Sequence, residues 1–510
     1  MSRVLQLLIF LLLTINAKGQ EKYDYVWLFG ARSSPNDTMQ GGTNIDFNLN
    51  PVSLDYEWRD ITIGSYNSSI CNENGELQFY TNGCFIVDAS HEIMMNGDSL
   101  NPGVAFDEFC SDTLYPFYPT TQNSFILPQP GTDSLYYLFH KGEEILDVPL
   151  FIYMNRLYYS LVDMSLNNGL GLVVEKNVLL LEDSLSSGQF TAVKHMNGED
   201  WWIMCPKYRS KEYCTFLLTG DSIKGPFSQE IGMSTTNGGG QAVFSPHGNT
   251  YVRYNPTDGA FVFQFDRESG LLDDFTHLAP EVEGLFGGAA ISPNNRFLYI
   301  TSWNEVRQYD LEATDIDASE VIVATYDGFV APFPTNFYQA QLGPDCRIYI
   351  NSTNGNYVLH VINRPDESGL ACELVQHGIH LPTRHAISLP NFPNYRLGTS
   401  SPTCNPDLEI NIVIDTTVMN NTITKTSEYD LSVYPNPVDL DLQISCDLPA
   451  GGSAIWVLSN ANGEEQGRLE INDFQEIYTY STRDLPVGIY FYHLRSDLGV
   501  LTRGKVVVAR

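Results

Sequence analysis

The chain has 510 residues, of which 43% are hydrophobic, 12% aromatic and only 17% charged, which fits two or three folded domains and opposes intrinsic disorder. Its 28 basic and 61 acidic residues give a formal net charge of −33. Nucleic acids and anionic membrane surfaces bind basic patches, so this balance excludes both as principal partners.

Residues 1–19 have the pattern of a secretory signal peptide. Arg3 supplies the positive charge, Val4 to Ile15 are mostly apolar, and Ala17-Lys18-Gly19 supplies a cleavage site of small residues before Gln20. The apolar run is too short to cross a bilayer, and no later segment reaches the roughly 18 apolar residues that a transmembrane helix needs. The sequence therefore predicts export of a mature chain with no transmembrane segment.

Residues 20–397 repeat one plan of strand, turn and strand. The clearest copy spans Gly284 to Leu311, where Ala289-Ala290-Ile291 precedes a Ser-Pro-Asn-Asn turn, the strand Phe297 to Thr301 and an alternating strand from Val306. Similar units recur at intervals of roughly 40–50 residues, which is typical of a β-propeller. One such unit cannot bury both faces of its sheet, so the units must stack.

The count of repeats predicts the size of the ring. Six units are visible, and a seventh would be closed by joining the strand Tyr23 to Phe29 to strands near Ile387 to Leu397. We therefore predict an all-β chain with a β-propeller over residues 20–397, and seven blades are favoured over six.

Nine cysteines in an exported chain predict disulfide bonds, and their odd number leaves at least one thiol unpaired within the chain. Cys346 and Cys372 bracket one unit, and Cys205 and Cys214 flank a predicted hairpin turn. Cys346–Cys372 is the first candidate and Cys205–Cys214 the second, although spacing alone does not establish connectivity. No C-x-x-C pair supports a zinc or thioredoxin-type site.

No group of residues predicts a catalytic, cofactor or metal site. His377 and His380 have the i, i+3 spacing of a helical metal pair, and His385 follows them, but Gly378 and Pro382 oppose a helix there. Neither H-E-x-x-H nor G-x-S-x-G occurs, and Gly238-Gly239-Gly240 precedes a strand rather than a phosphate-binding helix. We expect no cofactor, and single acidic loops leave only weak calcium binding open.

Two further sets of residues allow both a structural and a functional interpretation. Asp163, Asp266 and Asp310 end strands at comparable positions, so they either cap turns or supply paired carboxylates for glycoside chemistry. Trp201-Trp202 and Tyr158-Tyr159 would place at least one ring of each pair in the core, and the other ring could stack on a sugar. The structural interpretation is favoured for both sets.

The composition changes after the repeats. Residues 398–429 are rich in Pro, Thr, Ser and Asn, which predicts a linker with one embedded strand, Leu408 to Ile414. Residues 430–510 contain several short strands separated by turns at Pro435-Asn436-Pro437, Asn462-Gly463 and Pro486-Val487-Gly488. They predict a small Ig-like β-sandwich.

Four motifs in this last segment closely resemble the type A C-terminal sorting domain of the type IX secretion system of Bacteroidetes. They are Tyr434-Pro435-Asn436-Pro437-Val438, Leu442-Gln443-Ile444, Leu485-Pro486-Val487-Gly488-Ile489-Tyr490, and Gly504-Lys505-Val506-Val507-Val508. The resemblance implies that Tyr434, Pro435, Asn436, Pro437, Gly488, Ile489, Tyr490, Lys505 and Val506 belong to the sorting signal. It also implies that the type IX machinery is a partner and that the protein is secreted or held at the outer-membrane surface.

The repeats are also similar to a group of large secreted propeller proteins that have this sorting domain. The matching pieces are Asn74 to Gly83, Tyr159 to Met164 and Ser388 to Phe392. That resemblance implies a fold and a location but no activity. Since propeller loops vary freely on a rigid disc, we expect a binding or adhesion module for an unknown extracellular glycan or protein. A glycan-acting hydrolase or lyase is the alternative, and a structural component of the surface or gliding apparatus is a weaker one.

Overall fold

The structure is a computed structural model. It describes residues 21–34, 40–111, 116–147, 150–279, 286–397, 404–412, 431–434, 438–446, 453–460, 465–472, 477–496 and 499–509. The chain divides into two compact units, Met1–Val413 and Ile414–Arg510. No helix in the described residues is both long and apolar enough to span a membrane.

The described residues of the first unit form seven antiparallel sheets, and each is built from strands that are consecutive along the chain. The first two sheets have three strands each: β1 (Val26–Phe29), β2 (Gly42–Asp46), β3 (Ser53–Glu57), β4 (Ser68–Cys71), β5 (Leu77–Thr81) and β6 (Ile86–Asp88). A short helix, α1 (Val104–Phe109), lies in the connection to the third sheet.

The other five sheets have four strands each. The third and fourth are β7 (Ser124–Pro128), β8 (Leu135–Asp147), β9 (Leu150–Asp163), β10 (Leu172–Leu185), β11 (Thr191–Lys194), β12 (Trp201–Pro206), β13 (Glu212–Leu218) and β14 (Ile223–Glu230). The last three are β15 (Gln241–Phe244), β16 (Thr250–Asn255), β17 (Gly259–Asp266), β18 (Leu271–Leu278), β19 (Gly287–Ile291), β20 (Phe297–Ser302), β21 (Glu305–Asp310), β22 (Val321–Thr325), β23 (Ala340–Leu342), β24 (Ile348–Ile350), β25 (Val358–Ile362) and β26 (Leu374–His380).

Apolar side chains between neighbouring sheets join the seven sheets into a ring. Separate clusters pack the fourth sheet on the fifth, the fifth on the sixth, and the sixth on the seventh. The seventh sheet meets the first where the ring centroids of Trp27 and Tyr349 lie 5.3 Å apart. The first unit is therefore a β-propeller, and the preferred blade number of seven is confirmed.

The predicted closure through Ile387 to Leu397 is wrong. Within the described residues, β1 pairs only with β2, and residues 388–397 make a single isolated bridge, from Asn394 to Val193. The reason is local, since Pro390 and Pro393 lack the N–H groups that a strand would need.

Residues 404–412 of the predicted linker also close the ring. Asn405 N donates to Pro344 O, and Val52 N donates to Glu409 O, both at 2.7 Å. Leu408 and Ile410 are buried in the core shared by the first and seventh blades. This stretch packs on the propeller, whereas the rest of the predicted linker, 398–403 and 413–429, lies outside the described residues.

The disulfide bonds differ from those predicted. Cys346 pairs with Cys404, and Cys84 pairs with Cys110, so the predicted Cys346–Cys372 bond is wrong. The reason is position: Cys346 lies in the turn that segment 404–412 crosses, whereas Cys372 is buried against the sixth blade just before the outer strand β26.

The second candidate pair fails in a different way. Cys205 and Cys214 lie directly opposite each other on β12 and β13, as predicted for adjacent strands. Both are buried free thiols, so the predicted Cys205–Cys214 bond is absent.

The second unit is a β-sandwich, as predicted. One sheet has three strands and the other four: β27 (Leu431–Tyr434), β28 (Asp441–Cys446) and β31 (Tyr478–Ser481), then β30 (Glu465–Asn472), β29 (Ser453–Ser459), β32 (Gly488–Ser496) and β33 (Gly499–Val508). Its core contains Leu442 and Ile444 from the first sheet and Trp456 and Leu494 from the second. The last strand pairs with β32 within the sandwich.

Candidate functional site at the mouths of the central channel

The innermost strands of the blades surround one axis and run in the same direction. Residues that precede or begin β7, β11, β15, β19 and β23 line one cavity, and residues towards the ends of β15, β19 and β23 line another. We call the end of the channel where these strands begin the upper mouth and the opposite end the lower mouth.

Segment 388–397 closes the channel between the two mouths. Asn391 Nδ2 donates to Ser124 O at 2.7 Å and to Phe190 O at 3.1 Å. Its Oδ1 accepts from Gln122 Nε2 at 3.2 Å. One buried amide therefore satisfies polar groups of the third and fourth blades that would otherwise be unpaired.

Two glutamines link the innermost strands of blades that are not all neighbours. Gln122 donates to Ala242 O at 2.8 Å and accepts from Ala242 N at 2.7 Å. Gln241 donates to Ala340 O at 2.7 Å and accepts from Ala289 N at 3.1 Å. These side chains fill the middle of the channel, so the two mouths are separate cavities.

The lower mouth is occupied by the two ends of the propeller. Asp24 and Arg396 line it and form an ion pair in which Oδ2 and Nη1 lie 3.1 Å apart, with both side chains buried. Glu21 forms a second, very short ion pair with Lys194 at the end of β11. This mouth is therefore part of the ring's closure.

The upper mouth is a cavity of about 620 Å³, part of it open to solvent. Its hydroxyl and amide groups come from Thr120, Thr121, Ser187, Asn237, Asn255 and Thr257. Phe286 and Tyr338 add two rings whose centroids are 5.5 Å apart, and Phe286 stacks on Trp303 at 5.6 Å. Such a surface can donate and accept hydrogen bonds while it offers an aromatic face, which suits a hydroxylated ligand.

The largest elaborations of the ring lie beside the upper mouth. The connection between β6 and β7 contains α1 and ends in the residues Pro119 to Thr121 that line the cavity. The Cys84–Cys110 disulfide holds this connection, and Ile145 from the long β8–β9 hairpin packs on the same cluster. A disulfide and an apolar cluster therefore hold the upper rim in place.

Glu143 lies beneath the rim at Thr120. Its carboxyl accepts a very short hydrogen bond from Thr120 Oγ1, and its other oxygen has no partner in the described part of the chain. Burial raises the pKa of Glu143 well above its usual range, although the Asn123 side chain opposes the shift. The group is thus favoured in its neutral, hydrogen-bonding form.

His377, His380 and His385 lie in different surroundings. His377 is buried, with Nε2 2.9 Å from Asp327 Oδ2, and its ring stacks on Phe329 at 4.1 Å, whereas His380 is exposed. His385 is buried, and burial lowers its pKa to about 3. Among the described residues, no group of three His, Cys, Asp or Glu side chains could hold a metal ion.

The repeated aspartates cap turns on the lower side. Asp163 Oδ1 accepts from Ser165 N at 2.9 Å, and Asp266 Oδ1 accepts from Glu268 N at 3.0 Å. Trp201 and Trp202 are both buried, so neither is available to a sugar. Asp310 Oδ1 likewise accepts from Glu312 N at 3.1 Å. Tyr158 is buried and Tyr159 is half-buried, so at least one ring of each aromatic pair lies in the core.

The residues that resemble the sorting signal lie in and around the sandwich. Tyr490 and Val506 are buried in its core, and Tyr490 Oη donates to Pro486 O at 2.8 Å. Tyr434 and Lys505 are exposed, and Gly488 begins β32. Pro435, Asn436 and Pro437, and the side chain of Ile489, lie outside what the structure describes.

The polar residues of the channel were not predicted from the sequence. Gln122, Gln189, Gln241 and Gln339 each stand one to three residues before the apolar part of an innermost strand. That recurring glutamine was the available signal. Asn391 gave no such signal, because it lies in a segment without a repeat.

The comparisons with known proteins agree with this division of the chain. The family of secretion system C-terminal sorting domains matches residues 432–509. A sorting tail of this kind indicates export to the cell surface or the extracellular space. No curated protein matches the chain.

Solved structures resemble the chain only distantly. A Lactobacillus plantarum protein is 12% identical, with 73% of this chain and 100% of that one covered and a TM-score of 0.39. A Bacteroides uniformis protein provisionally identified as a 6-phosphogluconolactonase is 12% identical, with 71% and 98% covered and a TM-score of 0.42. Likenesses of this size support no argument about activity.

Proposed function

We propose that this protein is exported by the type IX secretion system of a Bacteroidetes bacterium and that its propeller then binds a glycan at the upper mouth. The export proposal combines the signal-peptide pattern of residues 1–19 with the sorting-domain match over 432–509. Deletion of 430–510 should leave the propeller in the periplasm of the native host. Normal surface delivery of the truncated chain would contradict this.

The uncharged lining of the upper mouth is the observation on which the binding proposal rests. Hydroxyl and amide groups line it beside Phe286, which is 40% exposed, and Tyr338. Sugars present hydroxyl groups around apolar ring faces, so a site for them combines polar side chains with exposed aromatic rings. The lower mouth, in contrast, is occupied by the ends of the propeller.

An enzyme would need different groups at the mouth. Glycoside hydrolysis uses two carboxylates about 5–10 Å apart. The described residues that line the upper mouth include no Asp or Glu, and Glu143 lies behind Thr120 rather than in the lining. Binding is therefore favoured over hydrolysis.

Binding of purified propeller to a panel of neutral and acidic polysaccharides tests the proposal. Phe286→Ala and Tyr338→Ala should weaken whatever binding the wild type shows. Phe227→Ala is the matched control, because Phe227 is 48% exposed on the outer strand β14, away from the mouth. Equal binding by all three variants and the wild type would contradict the proposal.

A further inference from the structure

We propose that the upper mouth contains an anion subsite, centred on the Ser187 N–H and supported by Lys141 and Arg253, that binds the acidic group of an acidic saccharide. This inference rests on the proposed glycan binding and adds the substrate class. It follows from how two buried cations hold one loop.

Lys141 lies behind the loop that precedes β11. Its Nζ donates to Ser186 O at 2.7 Å and to Gly188 O at 2.8 Å, the carbonyls on either side of Ser187. The side chain is fully buried and also packs over the ring of Phe190, 4.9 Å from its centroid. A positive charge is therefore held directly behind a residue that lines the mouth.

The Lys141 ammonium polarises the peptide group between Ser186 and Ser187, so the N–H of that group presents positive charge to the cavity. In a trans peptide the carbonyl and the N–H point in opposite directions, so the Ser187 N–H points away from Lys141. Ser187 N lies beside Gly238, another lining residue: a Cβ on that glycine would come within 3.2–3.3 Å of Ser187 N and the Tyr208 ring. The Ser187 N–H has no hydrogen-bond partner in the part of the chain that the structure describes.

Arg253 holds the same loop from the fifth blade. Its Nε donates to Gln189 Oε1 at 2.6 Å, and its Nη2 lies 3.4 Å from Ser186 Oγ. The guanidinium is fully buried, and Nη1 has no hydrogen-bond partner among the described residues. A buried guanidinium with an N–H group that lacks an acceptor destabilises the folded protein unless an anion lies nearby.

The described residues provide no such anion. Neither Lys141 nor Arg253 has a carboxylate within ion-pair distance in the described chain, although the protein as a whole is strongly acidic. The Arg253 guanidinium packs over the Tyr213 ring instead, 5.6 Å from its centroid. The Asp258 carboxylate on the rim accepts hydrogen bonds from the Thr236 hydroxyl and N–H instead. A carboxylate or sulfate at Ser187 would supply the missing counter-charge close to both buried cations.

The test compares polymers that differ only in their acidic groups. De-esterified and methyl-esterified homogalacturonan test a carboxylate, and carrageenan and the same carrageenan after chemical desulfation test a sulfate, all in about 0.15 M salt, where charges beyond about 8 Å are screened. We expect at least tenfold tighter binding of one acidic polymer than of its neutral counterpart. Equal binding within each pair overturns the inference but leaves the proposed function standing, whereas no binding to any polymer overturns both.

Two variants then locate the effect. Lys141→Met should reduce the acidic-to-neutral affinity ratio to threefold or less, and Arg253→Gln is the second variant if the first does not fold. Lys194→Met removes the same charge at the lower mouth and should keep the full ratio. An unchanged ratio in a folded Lys141→Met protein overturns the inference.

A pH series on the wild type gives an independent readout. Burial lowers the pKa of Lys141 to about 8; the ionisable groups that face its ammonium are the Cys205 thiol on β12 and Arg253 on β16. Binding of the acidic polymer should therefore fall between pH 7 and about 9.5, while binding of the neutral polymer stays level. Parallel pH profiles for the two polymers would contradict the role of Lys141.

Discussion

Asp24 and Arg396 form a buried ion pair, 3.1 Å between Oδ2 and Nη1, that joins the start of the propeller to the segment that closes its channel. Replacement of Arg396 by Met leaves the Asp24 carboxylate buried without its partner. We expect a loss of about 3–5 kcal/mol in the free energy of unfolding, measured with urea. Arg32→Met is the control, because Arg32 and Asp60 are 44% and 66% exposed and their pair should contribute less than about 1 kcal/mol. Equal losses in both variants would contradict a closing role.

The Cys346–Cys404 bond ties segment 404–412 to the seventh blade. Peptide mapping of the oxidised protein should recover these two cysteines linked, and Cys404→Ser should destabilise the propeller by about 2–5 kcal/mol. Because both cysteines serve one bond, the Cys346→Ser/Cys404→Ser double variant should lose no more than the larger of the two single losses. A Cys346–Cys372 peptide would refute the connectivity.

Buried neutral histidines should make the propeller sensitive to acid. Burial lowers the pKa of His140 and His385 to about 3 and that of His360 to about 4, below the value of 6.5 in an unfolded chain. The unfolded state therefore binds protons first as the pH falls. Above about pH 6.5 these histidines do not lower the free energy of unfolding. As the pH falls towards 4, each fully buried histidine lowers it by roughly 3 kcal/mol.

Unfolding free energies at pH 7 and pH 4 test this. The loss between the two values should be smaller in His385→Gln than in the wild type. His195→Gln, which changes a partly exposed histidine, should lose as much as the wild type. An identical loss in the wild type and His385→Gln would show that this histidine does not contribute to acid sensitivity.

The propeller should need residues 404–412 but not the sandwich. Fragment 20–412 keeps the disulfide and the buried Leu408 and Ile410, whereas fragment 20–397 loses them. We expect the shorter fragment to unfold several degrees lower in a thermal scan, and the longer one to match the propeller transition of the full chain. Equal unfolding temperatures for the two fragments would show that the propeller ends at residue 397 and does not need residues 404–412.

The repeating blades could be predicted from the sequence because their turns are local. Pro293 and Asn295 define one turn wherever the sheet lies, and Phe297 to Thr301 reads as a strand without tertiary information. The connectivity of Cys346 could not be predicted in this way, because it depends on where a distant segment crosses the ring. Asn391 is similar: its role exists only once two blades surround it.

The sandwich shows the same limit at the level of single residues. The alternating apolar residues of β29 and β32 allow either face to be buried; in the structure Trp456 and Leu458 face the core, and Phe491 is 48% exposed. Alternation along a strand predicts two faces but not which one is buried, and a shift of one residue exchanges them. The upper mouth was missed for a related reason, since its residues come from five separate blades.

The most direct test of the proposed function is the affinity of the propeller for its best-binding polysaccharide, measured for the wild type, the Phe286→Ala/Tyr338→Ala double variant and Phe227→Ala. Aromatic residues at the centre of a binding surface commonly contribute 2 kcal/mol or more, so the double variant should bind at least about tenfold more weakly. The Phe227→Ala control should bind as the wild type does. Wild-type affinity in a folded double variant would contradict a glycan site at the upper mouth.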